Sequence, residues 1–206
     1  WITFNEINMI LHLPFMGAGL VFKEDEDEMQ VKYQAAHHEL VASALATKMG
    51  HEIDKENKIG CMLAAGQVYP YCCDPEDVWK GMCKDRENYF FTDVQARGSY
   101  PAYAKAFFEQ NNINIEMEEK DKEILKEGQL DFVSFYYYRS NTVKKDDLWF
   151  NVGGSSNPYL ENTPWGWPVD PLVLRHCMNE IYDRIQKPFF IVENGMRAID
   201  QADENG

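Results

Sequence analysis

The sequence predicts an α/β fold in which parallel strands form one sheet. Short apolar runs alternate with longer segments of helical periodicity along the chain, which is the pattern of successive βα units. Two helical segments begin alike, because Asp74-Pro75 and Asp170-Pro171 each place a capping carboxylate before a first-turn proline. A composition that is 45% hydrophobic over 206 residues provides one sizeable core. We therefore expect residues 1–206 to form a single unit without a second domain.

Four strands are predicted, and long segments of helix and loop separate them. The strands are Ile2–Asn5, Lys58–Gly66, Asp131–Tyr138 and Phe189–Glu193. The last of them has four consecutive apolar residues before its glutamate, as expected of a strand that helices cover. Its neighbours in a parallel sheet would end at the same edge.

Helical periodicity predicts helices over 33–50, 74–88, 100–110 and 117–127, and another that begins at 170. The first has an apolar face formed by Leu40, Val41, Ala44, Leu45 and Met49. Gly50 is expected to end this helix, because glycine is common just beyond a helix terminus. The acidic run at 24–28 is expected to be a solvated loop.

Composition and charge argue against several classes of protein. A net charge of -14 is unfavourable for nucleic-acid binding, which needs clustered cations. No apolar run approaches the roughly 20 residues that span a bilayer, and the first residues lack the pattern of a signal peptide. Five cysteines form neither a disulfide framework nor a zinc motif. We expect reduced thiols, a cytoplasmic location and no metal or other cofactor.

The chain is expected to be an internal part of a longer protein. It starts without Met in the apolar run Trp1-Ile2-Thr3-Phe4 and stops in the polar stretch 200–206.

Two carboxylates stand at the ends of predicted strands, Glu6 after the first and Glu193 after the fourth. A glutamate at a strand end is usually an ordinary surface or capping residue. The flanking residues are more informative, because Glu6 ends the motif Thr-Phe-Asn-Glu and Glu193 begins the motif Glu-Asn-Gly after four apolar residues.

Together these two motifs resemble the signatures of glycoside hydrolase family 1. The resemblance implies an α/β fold that is part of a (β/α)8 TIM barrel, roughly strands four to seven with their helices. It also implies retaining, double-displacement hydrolysis, in which Glu6 is the general acid and base and Glu193 is the nucleophile. The active site would lie at the carboxyl ends of the strands.

The same resemblance implies roles for three further residues. Asn5 would bind the sugar 2-hydroxyl, although a strand-end turn residue is the alternative. Tyr138 would hydrogen-bond the nucleophile, although Tyr136-Tyr137-Tyr138 could simply pack. Trp167 would form a platform for the leaving group, a role for which Trp165 matches the family less well.

Longer stretches at 31–38, 61–66, 89–101 and 157–160 resemble bacterial 6-phospho-β-glucosidases. The implied substrate is a 6-phospho-β-D-glucoside, such as phosphorylated cellobiose or an aryl glucoside. In that subgroup a Ser, a Lys and a Tyr after strand eight hold the phosphate, and this loop would lie beyond Gly206. His37, His38 and Arg97 are expected to be structural.

Three alternatives remain open on the same scaffold: a 6-phospho-β-galactosidase, an unphosphorylated β-glucosidase and a catalytically dead sugar-binding barrel. The presence of both carboxylates counts against the last. The segment alone is expected to be inactive, because other strands supply further sugar-binding residues. The unpaired edges of its outer strands would favour association between copies.

Overall fold

A computed structural model describes residues 1–147, 154–197, 199 and 201–204. The remaining positions, which include part of the polar stretch at the end of the chain, lie outside the described residues. The strands are β1 (Ile2–Asn5), β2 (Gly60–Ala65), β3 (Val68–Pro70), β4 (Phe132–Tyr137), β5 (Asn141–Val143) and β6 (Phe189–Asn194). The helices are α1 (Pro14–Ala18), α2 (Glu28–Ile53), α3 (Pro75–Arg97), α4 (Ala104–Gln110), α5 (Asp121–Glu127) and α6 (Val173–Ile185), with a 3-10 helix at Ile7–Leu11.

The main sheet has the parallel order β1-β2-β4-β6. These four strands are the ones that the sequence predicts, so the α/β class is confirmed. Every residue of β2 is buried, because β1 and β4 flank this strand and helices cover it. Among the described residues, β1 and β6 each pair with a neighbour on one side only.

A second, two-stranded sheet was not predicted. It pairs β3 with β5 in parallel, in a register that runs from Val68 and Asn141 to Pro70 and Val143. These short strands follow β2 and β4 along the chain, and the Asn141 N–H donates to the Gln67 carbonyl at 2.7 Å. The pairing ties together the two loops that leave the carboxyl edge of the main sheet.

Two apolar clusters hold the helices against the sheet. One joins α2 and α3 and centres on Tyr33, whose ring lies 5.3 Å from Phe90 in an edge-on arrangement. The other packs α6 on β2 and β4 through the buried residues Cys177 and Ile181. Aromatic contacts of this kind stabilise the packing beyond the contribution of the buried area.

Several predicted helix boundaries were wrong. Helix α2 continues past Gly50 to Ile53, and Gly50 instead allows a close approach, since a Cβ there would collide with the Ile59 side chain. Helix α3 continues past Asn88 to Arg97 and ends at Gly98, whose φ of 70° suits glycine. The predicted apolar face of α2 was too wide, because Leu45 and Met49 are exposed.

The starts of two helices also differ from the predictions. Asp27, within the acidic run, caps α2 by accepting bonds from the N–H groups of Met29 and Gln30. Asp170 accepts bonds from the Leu172 and Val173 N–H groups, so its capping role holds although α6 begins at Val173.

His37 is a buried structural residue, as its position on a helix suggested. Its Nδ1 lies 2.9 Å from the Tyr100 hydroxyl and its Nε2 lies 2.9 Å from Asp121 Oδ2. The neighbouring His38 is exposed and contacts Gln34. His37 therefore makes buried contacts that join α2 to other parts of the fold, whereas His38 lies on the surface.

His37→Phe is expected to lower the free energy of unfolding by roughly 2–4 kcal/mol, because Asp121 and the Tyr100 hydroxyl would lose this partner. His38→Phe is the matched control and should change the free energy of unfolding by less than about 0.5 kcal/mol. Denaturant unfolding of the full-length protein measures both variants. Equal losses would contradict the structural role of His37.

Candidate active site

Glu6 follows β1 and adopts an unusual backbone conformation. Its φ of 56° and ψ of 51° lie in the left-handed region, which a non-glycine residue adopts at some cost in strain. The Glu6 N–H donates to the Met62 carbonyl at 2.8 Å, and the Glu6 carbonyl accepts from the Met9 N–H at 2.8 Å. These bonds fix the turn between β1 and the 3-10 helix. They therefore also fix the backbone position from which the Glu6 side chain extends.

Glu193 lies near the end of β6, where it pairs with Tyr136 of β4 after an irregularity in the register. The Tyr138 hydroxyl donates to Glu193 Oε2 at 2.7 Å. One residue further on, Asn194 Nδ2 donates to the Tyr137 carbonyl at 2.7 Å. The end of β6 is thus attached to β4 by both a side-chain and a main-chain partner.

Burial and neighbouring groups change the pKa of the Glu6 carboxyl. Burial raises the pKa of Glu6, and the negative charge of Glu193 raises it further, while a hydrogen bond from the Asn5 side chain lowers it. The hydrogen bond to Glu193 is the largest cause that raises the pKa of the Tyr138 phenol. The raised pKa of Glu6 favours its protonated form, and the neutral Tyr138 hydroxyl donates to Glu193.

The predicted platform Trp167 lies beside this pair. Its ring centroid is 5.8 Å from that of Tyr138. The loop that carries it is closed by the bond from the Thr163 N–H to the Trp167 carbonyl at 2.8 Å, with Gly166 turning at a φ of 76°. Trp165, in the same loop, is 58% exposed. Trp167 is therefore the tryptophan that faces the tyrosines.

Comparison with known proteins decides the family. The sequence profile of Glycosyl hydrolase family 1 matches residues 1–206. The chain belongs to glycosyl hydrolase family 1. It is 55% identical to the 6-phospho-β-glucosidase AscB of Escherichia coli, over all of this chain and 44% of that protein. It is 51% identical to the aryl-phospho-β-D-glucosidase BglH of Bacillus subtilis, over all of this chain and 45% of the relative. The chain thus spans about half the length of the curated relatives that it matches.

Solved structures of β-glucosidases superpose on this chain. A family 1 β-glucosidase from Thermotoga maritima superposes with a TM-score of 0.75 at 27% identity, covering 100% of this chain and 46% of that one. A β-glucosidase from Exiguobacterium marinum gives a TM-score of 0.78 at 20% identity, covering 99% of this chain and 47% of that one. At 20% identity, the comparison with the Exiguobacterium marinum structure supports the fold alone. The parallel sheet of this family 1 chain therefore corresponds to about half of the barrel.

A pocket of about 240 Å³ lies at the carboxyl ends of the strands of this family 1 chain. Tyr138 and Trp167 line it on one side, next to the candidate carboxylates. We call it the strand-end pocket. Its polar and charged lining includes Asn8, His12, Lys84, Glu87, Asn88, Arg139 and Asn141.

Sequence reasoning missed five of these residues, namely His12, Lys84, Glu87, Asn88 and Asn141. They lie after the 3-10 helix, on α3 and at the start of β5, so no local motif could have grouped them. It also assigned no role to Tyr136, whose pKa burial raises to about 12, with the charge of Glu6 contributing. Tyr136 lines the same pocket, which extends the candidate site beyond the motif residues.

Two further findings concern the part of the chain that the structure describes. It contains no group of three or more His, Cys, Asp or Glu side chains arranged to hold a metal ion. None of its helices is long and apolar enough to cross a membrane.

Proposed function

We propose that the protein containing this chain hydrolyses 6-phospho-β-D-glucosides with retention of configuration, and that Glu6 and Glu193 are its catalytic carboxylates. The observation that carries the proposal is the electrostatic pairing of these two glutamates at the strand ends. One has a raised pKa and the other accepts a hydrogen bond from Tyr138. Two carboxyls in unlike environments are what acid and nucleophile roles require.

In the first step, the Glu193 carboxylate attacks the anomeric carbon and forms a glycosyl ester. The bond to the leaving-group oxygen breaks, and Glu6 transfers its proton to that oxygen. A direct attack of this kind requires the carboxyls to be roughly 5–5.5 Å apart. The hydrogen bond from the Tyr138 hydroxyl orients the attacking oxygen of Glu193.

In the second step, Glu6 accepts a proton from water, whose oxygen attacks the anomeric carbon and expels Glu193 as a carboxylate. Asn5 hydrogen-bonds the sugar 2-hydroxyl, an interaction that strengthens in the transition state. Trp167 offers an aromatic face to the leaving group. No cofactor takes part in these steps.

The names of the relatives support the phosphorylated substrate class. Besides the two enzymes above, a phospho-cellobiase of Klebsiella oxytoca is 46% identical over all of this chain. A 6-phospho-β-galactosidase or an unphosphorylated β-glucosidase is the alternative on this scaffold. A β-glucosidase A of Acetivibrio thermocellus is 24% identical, so identity favours the phosphorylated class.

The five free cysteines fit a cytoplasmic protein, since reduced thiols persist there. Residues 1–206 would form one part of a single barrel, without a second domain. The outer edges of β1 and β6 would pair with the other strands of that barrel.

The stereochemistry of the first product tests this proposal. Full-length protein acting on a nitrophenyl 6-phospho-β-D-glucoside is expected to release 6-phosphoglucose first as the β-anomer, because two displacements at one carbon restore its configuration. Proton NMR during the first minutes distinguishes this product from a mutarotated standard. An initial α-anomer would exclude the double displacement, and no hydrolysis would exclude the substrate class.

A further inference from the structure

The turn that carries Glu6 is attached to β2 at two successive positions. The first attachment is the bond from the Glu6 N–H to the Met62 carbonyl. Two residues further on, the Asn8 side chain binds both main-chain groups of Ala64. Asn8 Nδ2 donates to the Ala64 carbonyl at 3.0 Å, and Asn8 Oδ1 accepts from the Ala64 N–H at 3.2 Å. Asn8 is itself buried and therefore joins the turn to a strand that is buried throughout.

The Asn8 amide continues the ladder between β1 and β2 after β1 has ended. In a parallel pair, every second residue of a strand directs its N–H and carbonyl groups to the same neighbour. Gly60 and Met62 pair with β1 in this way. Ala64 is next in the series, but β1 ends before it reaches this level. The Asn8 side chain therefore takes the place of the missing strand at Ala64.

A third bond attaches the same side chain to α3. Asn8 Nδ2 also donates to Asn88 Oδ1 at 2.9 Å. Both amide hydrogens of Asn8 therefore have acceptors within the protein, and the amide has no donor left for a substrate. These bonds suit a residue that holds the neighbouring main chain rather than one that binds a ligand.

Glu6 depends on this support because its backbone lies in the left-handed region, at a φ of 56°. A non-glycine residue keeps such a conformation only where the surrounding structure enforces it. The Glu6 carbonyl accepts from the N–H of Met9, which directly follows Asn8. The main chain is thus held to β2 on both sides of Glu6, and loss of the Asn8 amide would release one of these sides.

We propose that Asn8 is a positioning residue that holds the Glu6 carboxyl where it can transfer a proton to the leaving-group oxygen. This inference rests on the proposed function. A general acid must lie within hydrogen-bond reach of the atom that it protonates, and a displacement of about 1 Å can cost roughly 100-fold in rate. Without the Asn8 bonds the turn relaxes and the acid moves, while Glu193 stays in place on β6. The loss therefore falls on proton transfer rather than on nucleophilic attack.

The test compares two leaving groups in the full-length protein. A dinitrophenyl 6-phospho-β-D-glucoside releases a stable phenolate that needs little protonation, whereas the phenyl 6-phospho-β-D-glucoside depends on the acid. Asn8→Leu keeps the approximate volume of the side chain and removes its hydrogen bonds. It is expected to lower kcat/KM about 100-fold for the phenyl substrate and less than about threefold for the dinitrophenyl substrate.

Three further variants separate positioning from stability. Asn179→Leu makes the same change on the exposed face of α6 and should leave both kcat/KM values unchanged. His37→Phe destabilises the fold away from the candidate site and should not change the ratio of the two values. Asn88→Ala removes one of the three Asn8 bonds and should lower the phenyl value preferentially, by about threefold to tenfold. It decides the question if Asn8→Leu does not fold.

A fall that is selective for the phenyl substrate in Asn8→Leu, but absent from His37→Phe, supports the inference. If folded Asn8→Leu lowers both values by the same factor or changes neither, the inference is overturned, while cleavage by the wild-type protein still supports the proposed function. If the wild-type protein cleaves neither substrate, the proposed function fails and the inference falls with it.

Discussion

Glu193→Gly is expected to abolish hydrolysis in the full-length protein, and added azide is expected to restore turnover. Removal of a nucleophile costs roughly four to six orders of magnitude in kcat, as when members of a catalytic triad are removed. The glycine leaves a gap into which a small anion can move and attack the anomeric carbon. Glu6, which the change leaves in place, would still protonate the leaving oxygen.

Two further variants complete this experiment. Glu6→Ala should retain the nucleophile, so that it cleaves only activated aryl substrates whose leaving groups need little protonation. Glu119→Gly is the matched control, because Glu119 is exposed and lies outside the candidate site. It is expected to retain normal kcat/KM. Rates are followed by nitrophenol release with and without azide.

The second large effect concerns the 6-phosphate. Residues 1–206 carry a net charge of -14, which repels a phosphate at long range, so selectivity must come from a few local donors. A site built for phosphate would leave its buried donors unpaired when the phosphate is absent. We expect kcat/KM for an aryl 6-phospho-β-glucoside to exceed that for the plain glucoside by about two or more decades.

A third substrate separates charge from size. The 6-O-methyl β-glucoside adds bulk at the same oxygen without charge and should be no better than the plain glucoside. Equal kcat/KM for the phosphorylated and plain substrates would make this protein a general β-glucosidase. Preference for the 4-epimer of the phosphorylated sugar would instead indicate the galactosidase alternative.

Much of the main sheet could be predicted because each strand contains a largely apolar run in the sequence. Four apolar runs gave the four parallel strands, since a buried strand needs consecutive apolar residues. The end of α2 could not be predicted from Gly50, because this glycine lies inside the helix and packs against the Ile59 side chain. The pairing of β3 with β5 joins residues about 70 positions apart and left no local pattern.

Some residues of the candidate site could likewise be predicted from the sequence, and others could not. Glu6 and Glu193 stand in short motifs at strand ends, so their positions at one edge of a parallel sheet follow from the sequence. His12, Asn88 and Asn141 have no motif. They meet because the 3-10 helix, α3 and β5 converge on one pocket, and this convergence becomes visible only in three dimensions.

The anomeric configuration of the azide product tests the roles of the two glutamates most directly. In Glu193→Gly, azide would displace the leaving group from the opposite face and give a 6-phospho-α-glucosyl azide. In Glu6→Ala, azide would attack the covalent intermediate and give the β-azide. NMR coupling constants at the anomeric carbon distinguish the two products. Opposite anomers from the two variants are the predicted result, and the same anomer from both would contradict the assignment of Glu6 as acid and Glu193 as nucleophile.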